Sequence, residues 1–169
     1  MSFYDVVKNR RSVRTFTNKK ISESKINKIL KCASMAPSAL GFQSYKIFVI
    51  KNKFMKEKLI KATHDQTYVD TDTVLVFCVE PKKIRNTMGP KGEHLFALQD
   101  ATIAAAYAQM AVTAEGLHSI WIGHLNEKMV KEIIKTKLRP VCILPIGYST
   151  EKPQHKDEKK LSVIVSKRK

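Results

Sequence analysis

Long apolar runs, paired cysteines and glycine-rich loops are all scarce in this chain of 169 residues, and each scarcity removes a class of protein. No apolar stretch approaches the ~18 residues needed to cross a bilayer. The opening MSFYDVVKNRRSVR lacks the apolar core of a secretory leader, so the expectation is a soluble, cytoplasmic protein with no membrane partner. The three cysteines, Cys32, Cys78 and Cys142, are odd in number and sit in LKCAS, VFCVE and VCILP, where they read as buried, reduced thiols. Neither CxxC nor HExxH can be written from them and the five histidines, so no metal is expected. The six glycines are too dispersed for GxGxxG, GxxxxGKS/T or GxSxG, which disfavours a Rossmann site, a P-loop and the commonest hydrolase elbow.

Acidic residues are sparse too: 15 Asp and Glu stand against 31 Lys and Arg, a net charge of +16. A surplus of that size raises nucleic acid as a rival partner, because basic surfaces release counterions from phosphates. The lysines argue against it. Lys25, Lys28, Lys31, Lys56, Lys58, Lys61, Lys128, Lys131 and Lys135 fall between apolar positions at helical spacing, the pattern of a solvated face, and no aromatics are interleaved for stacking. Arginine is distributed differently. Of six in the chain, Arg10, Arg11 and Arg14 fall within five residues. A planar guanidinium matches two phosphate oxygens at once, so the cluster is a candidate anion site, with an accidental basic turn as the alternative.

What is present is ordinary globular composition, 43% apolar and 27% charged. The length suits one domain over residues 1–169, with the polar stretch from Ser149 as a C-terminal arm, residues 149–169. Ser2, Ser22, Asn52 and Asn126 are placed to cap helices, and Pro37 stops the second of these. Thr73 to Val79 is a nearly continuous apolar run and predicts a strand covered on both faces. Tyr45 to Ile50, His118 to Ile122 and Val141 to Tyr148 also read as strands, and Leu161 to Val165 as a strand docking the end of the arm. A charged connection over 81–92 precedes the longest helical pattern, Glu93 to Glu115, lined by alanines and closed by Gly116. Alternating helices and strands predict an α/β or α+β sandwich.

At this point the residues resemble the FMN-dependent nitroreductase family, over most of the chain. The family's R-R-S-x-R appears as Arg10-Arg11-Ser12-Val13-Arg14, and its A-P-S-x-x-N-x-Q-P-W loop as Ala36 to Tyr45, with Gly41 and Tyr45 in place of the common Asn and Trp. The D-A-x-I-A-A start of the core helix stands at Asp100 to Ala105, W-I-G at Trp121-Ile122-Gly123, and L-P-I-G-Y at Leu144 to Tyr148. The resemblance implies an α+β fold, a mainly antiparallel central sheet flanked by helices, and an obligate homodimer that exchanges its C-terminal arm.

It also implies one FMN at each composite site between the two copies. Arg10, Arg11, Ser12 and Arg14 would hold it, Arg10 and Ser12 at the phosphate or ribityl chain and Arg14 near the flavin N1 and C2 carbonyl. Pro37, Ser38, Ala39 and Gly41 would pass under the cofactor from the partner chain. Gln43 would bond the ring edge, and Gln66 would neighbour it. Ile122 and Gly123 would face flavin N5, with Trp121 either beside them or in the core. Lys156, Lys159 and Lys160 are candidates to complete the phosphate site, or form a solvated arm. The implied activity is ping-pong hydride transfer from NADH or NADPH, through the flavin, to a nitroaromatic, quinone or related small acceptor, with no catalytic side chain. A non-catalytic flavin-binding protein for storage or sensing is the alternative.

Overall fold

A computed structural model describes residues 1–153 and 158–168. At its centre lies a four-stranded antiparallel sheet in the order β1-β2-β4-β3, formed by Tyr45–Ile50, Thr73–Val79, His118–Ser119 (β3) and Arg139–Gly147 (β4). All of β2 is buried. Leu75 and Phe77 face one core with Cys142, Leu144 and Ile146 of β4, while Val74, Val76 and Cys78 face another with Ile143. The pleat sends successive side chains to opposite faces, and both faces are covered, so the apolar run needs no polar alternation.

Helices α2 (Glu23–Ser34) and α5 (Ala97–Ala114) cover the first face; α3 (Lys53–Ala62) and α6 (Glu127–Ile133) cover the second. The caps are those the sequence predicts. Ser22, Asn52 and Asn126 accept from Lys25, Met55 and Met129 amides, and Ser2 forms a capping box with Asp5 at the start of α1 (Phe3–Asn9). Fully buried Ala101, Ala104, Ala105 and Ala108 give α5 a thin flank against which α2 and the sheet close, and Gly116 ends it in the left-handed region, φ +70°.

Several expectations are corrected. The predicted connection over 81–92 is helical: α4 spans Lys82–Lys91 and leads through a π turn, Gly92–Phe96, into α5. Ile84 is its only buried side chain among Lys82–Lys91, which is why no apolar periodicity betrayed it. Gly89 breaks its backbone at φ +57°, as the residue before Pro90 is pushed out of helical geometry. The strand predicted over 118–122 is interrupted after Ser119 and rejoins β4 only through the Ile122–Ile143 bridge. Leu161–Ile164 forms a short exposed helical turn, α7, rather than a docked strand. Within one chain its amides find no ladder, and a local bond from Val165 N to Leu161 O replaces it. Cys32 is exposed, on the outward side of α2. Lys56 is 7% exposed, its ammonium donating to the Thr71 carbonyl. Cys78 and Cys142 are buried as expected, and burial pushes the Cys78 thiol up to about 12 and raises that of Cys142 as well.

Gly147 closes β4 where there is no room for a side chain. A Cβ there would lie 2.4 Å from Thr71 Oγ1 and 3.0 Å from Phe16 Cδ1. Gly147→Ala should therefore cost about 1–3 kcal/mol in urea denaturation, with the Thr71 hydroxyl driven off the Ile146 carbonyl it now bonds.

Candidate functional site

After α1 the chain runs extended through residues 10–17. Ser12 bridges Ser119 in parallel, Val13 N donates to Ser119 O at 3.1 Å, and Thr17 N donates to Tyr148 O at 2.8 Å. Val13 is fully buried and pegs the segment to the core. The period-2 alternation of extended chain then puts Arg10, Ser12 and Arg14 on the opposite face. Arg11 braces its own turn, Nη1 donating to the Arg10 carbonyl at 2.8 Å. Among the described residues no carboxylate forms an ion pair with any of the three guanidinium groups. Unneutralised, clustered guanidinium groups suit an anion with several oxygens.

The pairing with Ser119 brings this turn beside Trp121-Ile122-Gly123. Ile122 is buried and exchanges two 2.9 Å bonds with Ile143, Trp121 is half-buried against the first core face, and Gly123 is exposed. The absence of a side chain at Gly123 leaves backbone open to a planar ligand. Ser119 Oγ is buried with no hydrogen-bond partner among the described residues.

The chain leaving β4 returns to the same place. Glu151 Oε2 accepts from the Arg14 and Thr15 amides at 2.8 and 2.7 Å. The Arg14 amide is the largest cause that holds this carboxyl below its ordinary value; burial opposes it, and bonds from Thr15 and the charge of Arg14 add to the lowering. Lys159 and Lys160 are exposed on the arm; Lys156 lies outside the described residues.

The remaining candidates lie elsewhere. Pro37, Ser38, Ala39, Gly41 and Gln43 form a loop between α2 and β1, and the buried carboxylate of Asp100 ties it to α5. Asp100 Oδ1 accepts from Ala39 N at 2.8 Å and Oδ2 from Ser44 N at 3.1 Å. Ser38 Oγ accepts from Gln43 N at 3.0 Å, and Gln43 Nε2 donates to the Ser34 carbonyl at 2.6 Å. Leu40, Gly41 and Gln43 all adopt positive φ, 51°, 70° and 49°. Such backbone persists in non-glycine residues only where surrounding bonds impose it. Tyr45, in the place of the motif's Trp, donates its hydroxyl to the Ala33 carbonyl at 3.1 Å and so closes the loop's base. Gln66, the residue before the turn Thr67–Val69, accepts from Tyr68 and has no hydrogen bond to either group among the described residues.

The two groups of candidates sit at opposite ends of α5. Asp100 holds the Pro37–Gln43 loop near its start, and Ser119 holds the arginine segment just beyond its end. At 1.5 Å per residue, Asp100 and Ala114 are ~20 Å apart along the axis.

The profile of the nitroreductase family matches residues 7–72 and 68–148. The chain belongs to the nitroreductase family. A protein of Methanothermobacter thermautotrophicus is 27% identical over 164 residues, covering 93% of this chain and 82% of the relative. The FMN reductase (NADPH) of Bacillus subtilis is 26% identical over 171 residues, covering 92% and 68%. Among solved structures, NfrA2 of B. megaterium superposes with a TM-score of 0.90 at 22% identity over 97% of this chain and 73% of its own, a likeness of fold.

As a member of the nitroreductase family the chain carries a residue whose part sequence reasoning left unassigned, Asp100. Its signal was there, a carboxylate at the head of an alanine helix with no lysine or arginine a turn away. Asp100→Ala should strand two amides and cost about 2–4 kcal/mol in chemical denaturation. Hydrogen exchange at Ala39 and Ser44 should accelerate more than at Val76 in the centre of the sheet.

Proposed function

We propose that the chain is an FMN-carrying, NAD(P)H-dependent oxidoreductase that reduces a nitroaromatic, quinone or related small acceptor, and that it works as a homodimer with cofactor at the subunit interface. The observation that carries this reading is Arg10 and Arg14, without an ion-pair partner among the described residues, set with Ser12 beside the exposed backbone at Gly123. That donor set fits FMN: charged forks for a phosphate, a hydroxyl for the ribityl chain, and glycine backbone for close approach to a flat ring. The reductase relatives support the same cofactor and electron donor.

The dimer is supported by the two ends of α5. Asp100, which holds the Pro37–Gln43 loop, and Ala114, just before the strand that holds the arginine segment, lie ~20 Å apart along α5, so one chain's two groups stand at opposite ends of the helix and a second copy would bring a loop to each arginine cluster. Apolar surface is in place for that contact. Phe3 and Tyr4 of α1 are 70% and 82% exposed, Leu40 of the loop 67%, and Leu161, Val163 and Ile164 of the arm are exposed as well. We take the chain as one unit whose arm, residues 149–169, starts on its own arginine segment at Ser149 and Glu151 and crosses to the partner beyond it, with Lys159 and Lys160 near the phosphate.

FMN, when bound, would supply hydride-transfer chemistry between a nicotinamide and the acceptor in alternate half-reactions. The chain's residues bind and orient. Arg10 would neutralise phosphate charge, Ser12 would hydrogen-bond the phosphate or ribityl chain, Arg14 would favour negative charge at the ring's pyrimidine end, and Gly123 would leave the reacting edge uncovered. Donor and acceptor would use the same face of the bound cofactor in turn.

The purified protein should be yellow and should bleach on anaerobic addition of NADH or NADPH; retained colour would leave flavin binding without turnover. Arg10→Ala and Arg14→Ala should each weaken FMN binding at least tenfold, since a charge-assisted bond contributes ~1.5–3 kcal/mol. Light scattering should give twice 19.2 kDa, and a stable monomer would refute the shared site.

A further inference from the structure

The arginine segment is held on two sides. On one, Ser12 and Val13 pair with Ser119. On the other, two residues just past β4, Ser149 and Glu151, grip the backbone of Arg14 and Thr15. Glu151 accepts from both amides, Ser149 Oγ donates to the Thr15 carbonyl at 2.5 Å, and Glu151 N donates to Ser149 Oγ at 2.9 Å. The Arg14 amide, the Thr15 amide and the Thr15 carbonyl are thus each engaged by a side chain. The Glu151 carboxylate contributes little to the core, since it lies at the surface, and it forms no ion pair with a described residue. Its placement also has an apparent cost, because a negative charge beside Arg14 opposes an incoming phosphate.

We infer that Glu151 is a positioning residue for the cofactor: it fixes the Arg14 backbone against Arg10 and Ser12, and it sets the point from which the lysine-bearing arm departs. This rests on the FMN reading above. Two adjacent amides bonded to one carboxylate oxygen leave the segment no room to rotate, so the Arg14 guanidinium starts from one place rather than many, and less freedom is lost when the cofactor binds. Coulomb repulsion and positioning predict opposite signs for removal of the carboxylate. Repulsion alone would make the variant bind FMN more tightly; loss of positioning makes it bind more weakly.

The test is FMN titration of full-length apoprotein followed by flavin fluorescence. Glu151→Ala should raise the Kd about tenfold, as expected for losing bonds to a charged group. Glu151→Gln, whose amide oxygen can still accept from both N–H groups, should stay within about threefold of wild type. Ser149→Ala, which keeps the carboxylate but frees its backbone, should weaken binding by an intermediate factor of about three. Because Glu151 acts through Arg14, the Arg14→Ala/Glu151→Ala double variant should bind no more weakly than Arg14→Ala alone. An E151A protein that binds FMN as well as or better than wild type overturns the inference, and so do losses that add in the double variant. A wild-type chain that binds no FMN overturns the FMN reading and this inference with it.

Discussion

A helix built of alanines governs where everything else can be. The side chains of Ala101, Ala104, Ala105 and Ala108 are so short that α5 lies close under the sheet and α2 lies close against α5. At its start a buried carboxylate gathers one loop, and beyond its end a two-residue strand gathers another segment. The helix has a fixed rise, so it also fixes the spacing of those two points. Larger residues along its flank would lift it from the sheet and move both.

The polar atoms around α5 are arranged by the same constraint. Among the described residues Asp100 has no cationic partner and accepts from two backbone amides of the loop, which makes it a connector between helix and loop. The loop it holds is wound through left-handed conformations at Leu40, Gly41 and Gln43. Of these only Gly41 adopts that geometry without steric conflict, so the conformation of its neighbours is imposed by Asp100, Ser38 and Tyr45. The departure from the family's usual Asn at Gly41 is thereby accommodated in the backbone.

Much of this was legible in the sequence where chemistry is local. The helix caps at Ser2, Ser22, Asn52 and Asn126, the doubly covered strand at Thr73–Val79 and the glycine stop at Gly116 all depend on residues within a turn of one another. The arginine cluster was visible because three guanidinium groups in five residues are unusual in a chain that otherwise uses lysine. What escaped was non-local or unpatterned. The helical nature of Lys82–Lys91 left no apolar stripe to read, because the segment buries only Ile84. Lys56 looks like any other lysine of a solvated face until Thr71, fifteen residues away, supplies its acceptor. Glu151 carries no signal in an arm of mixed charge, since its partners are amides near the other end of the chain. Leu161–Val165 has strand composition, yet a strand requires a neighbour, and composition cannot supply one.

Sulfur chemistry follows from burial in a similar way. Cys78 and Cys142 are shut in the sheet with their thiols held protonated, so neither presents a thiolate to a peroxide at neutral pH. Cys32 sits at the surface of α2. A thiol-directed oxidant therefore meets a single accessible thiol per chain, and its product forms on the outside of a helix, where a sulfenic acid or a mixed disulfide leaves the packing of the sheet intact.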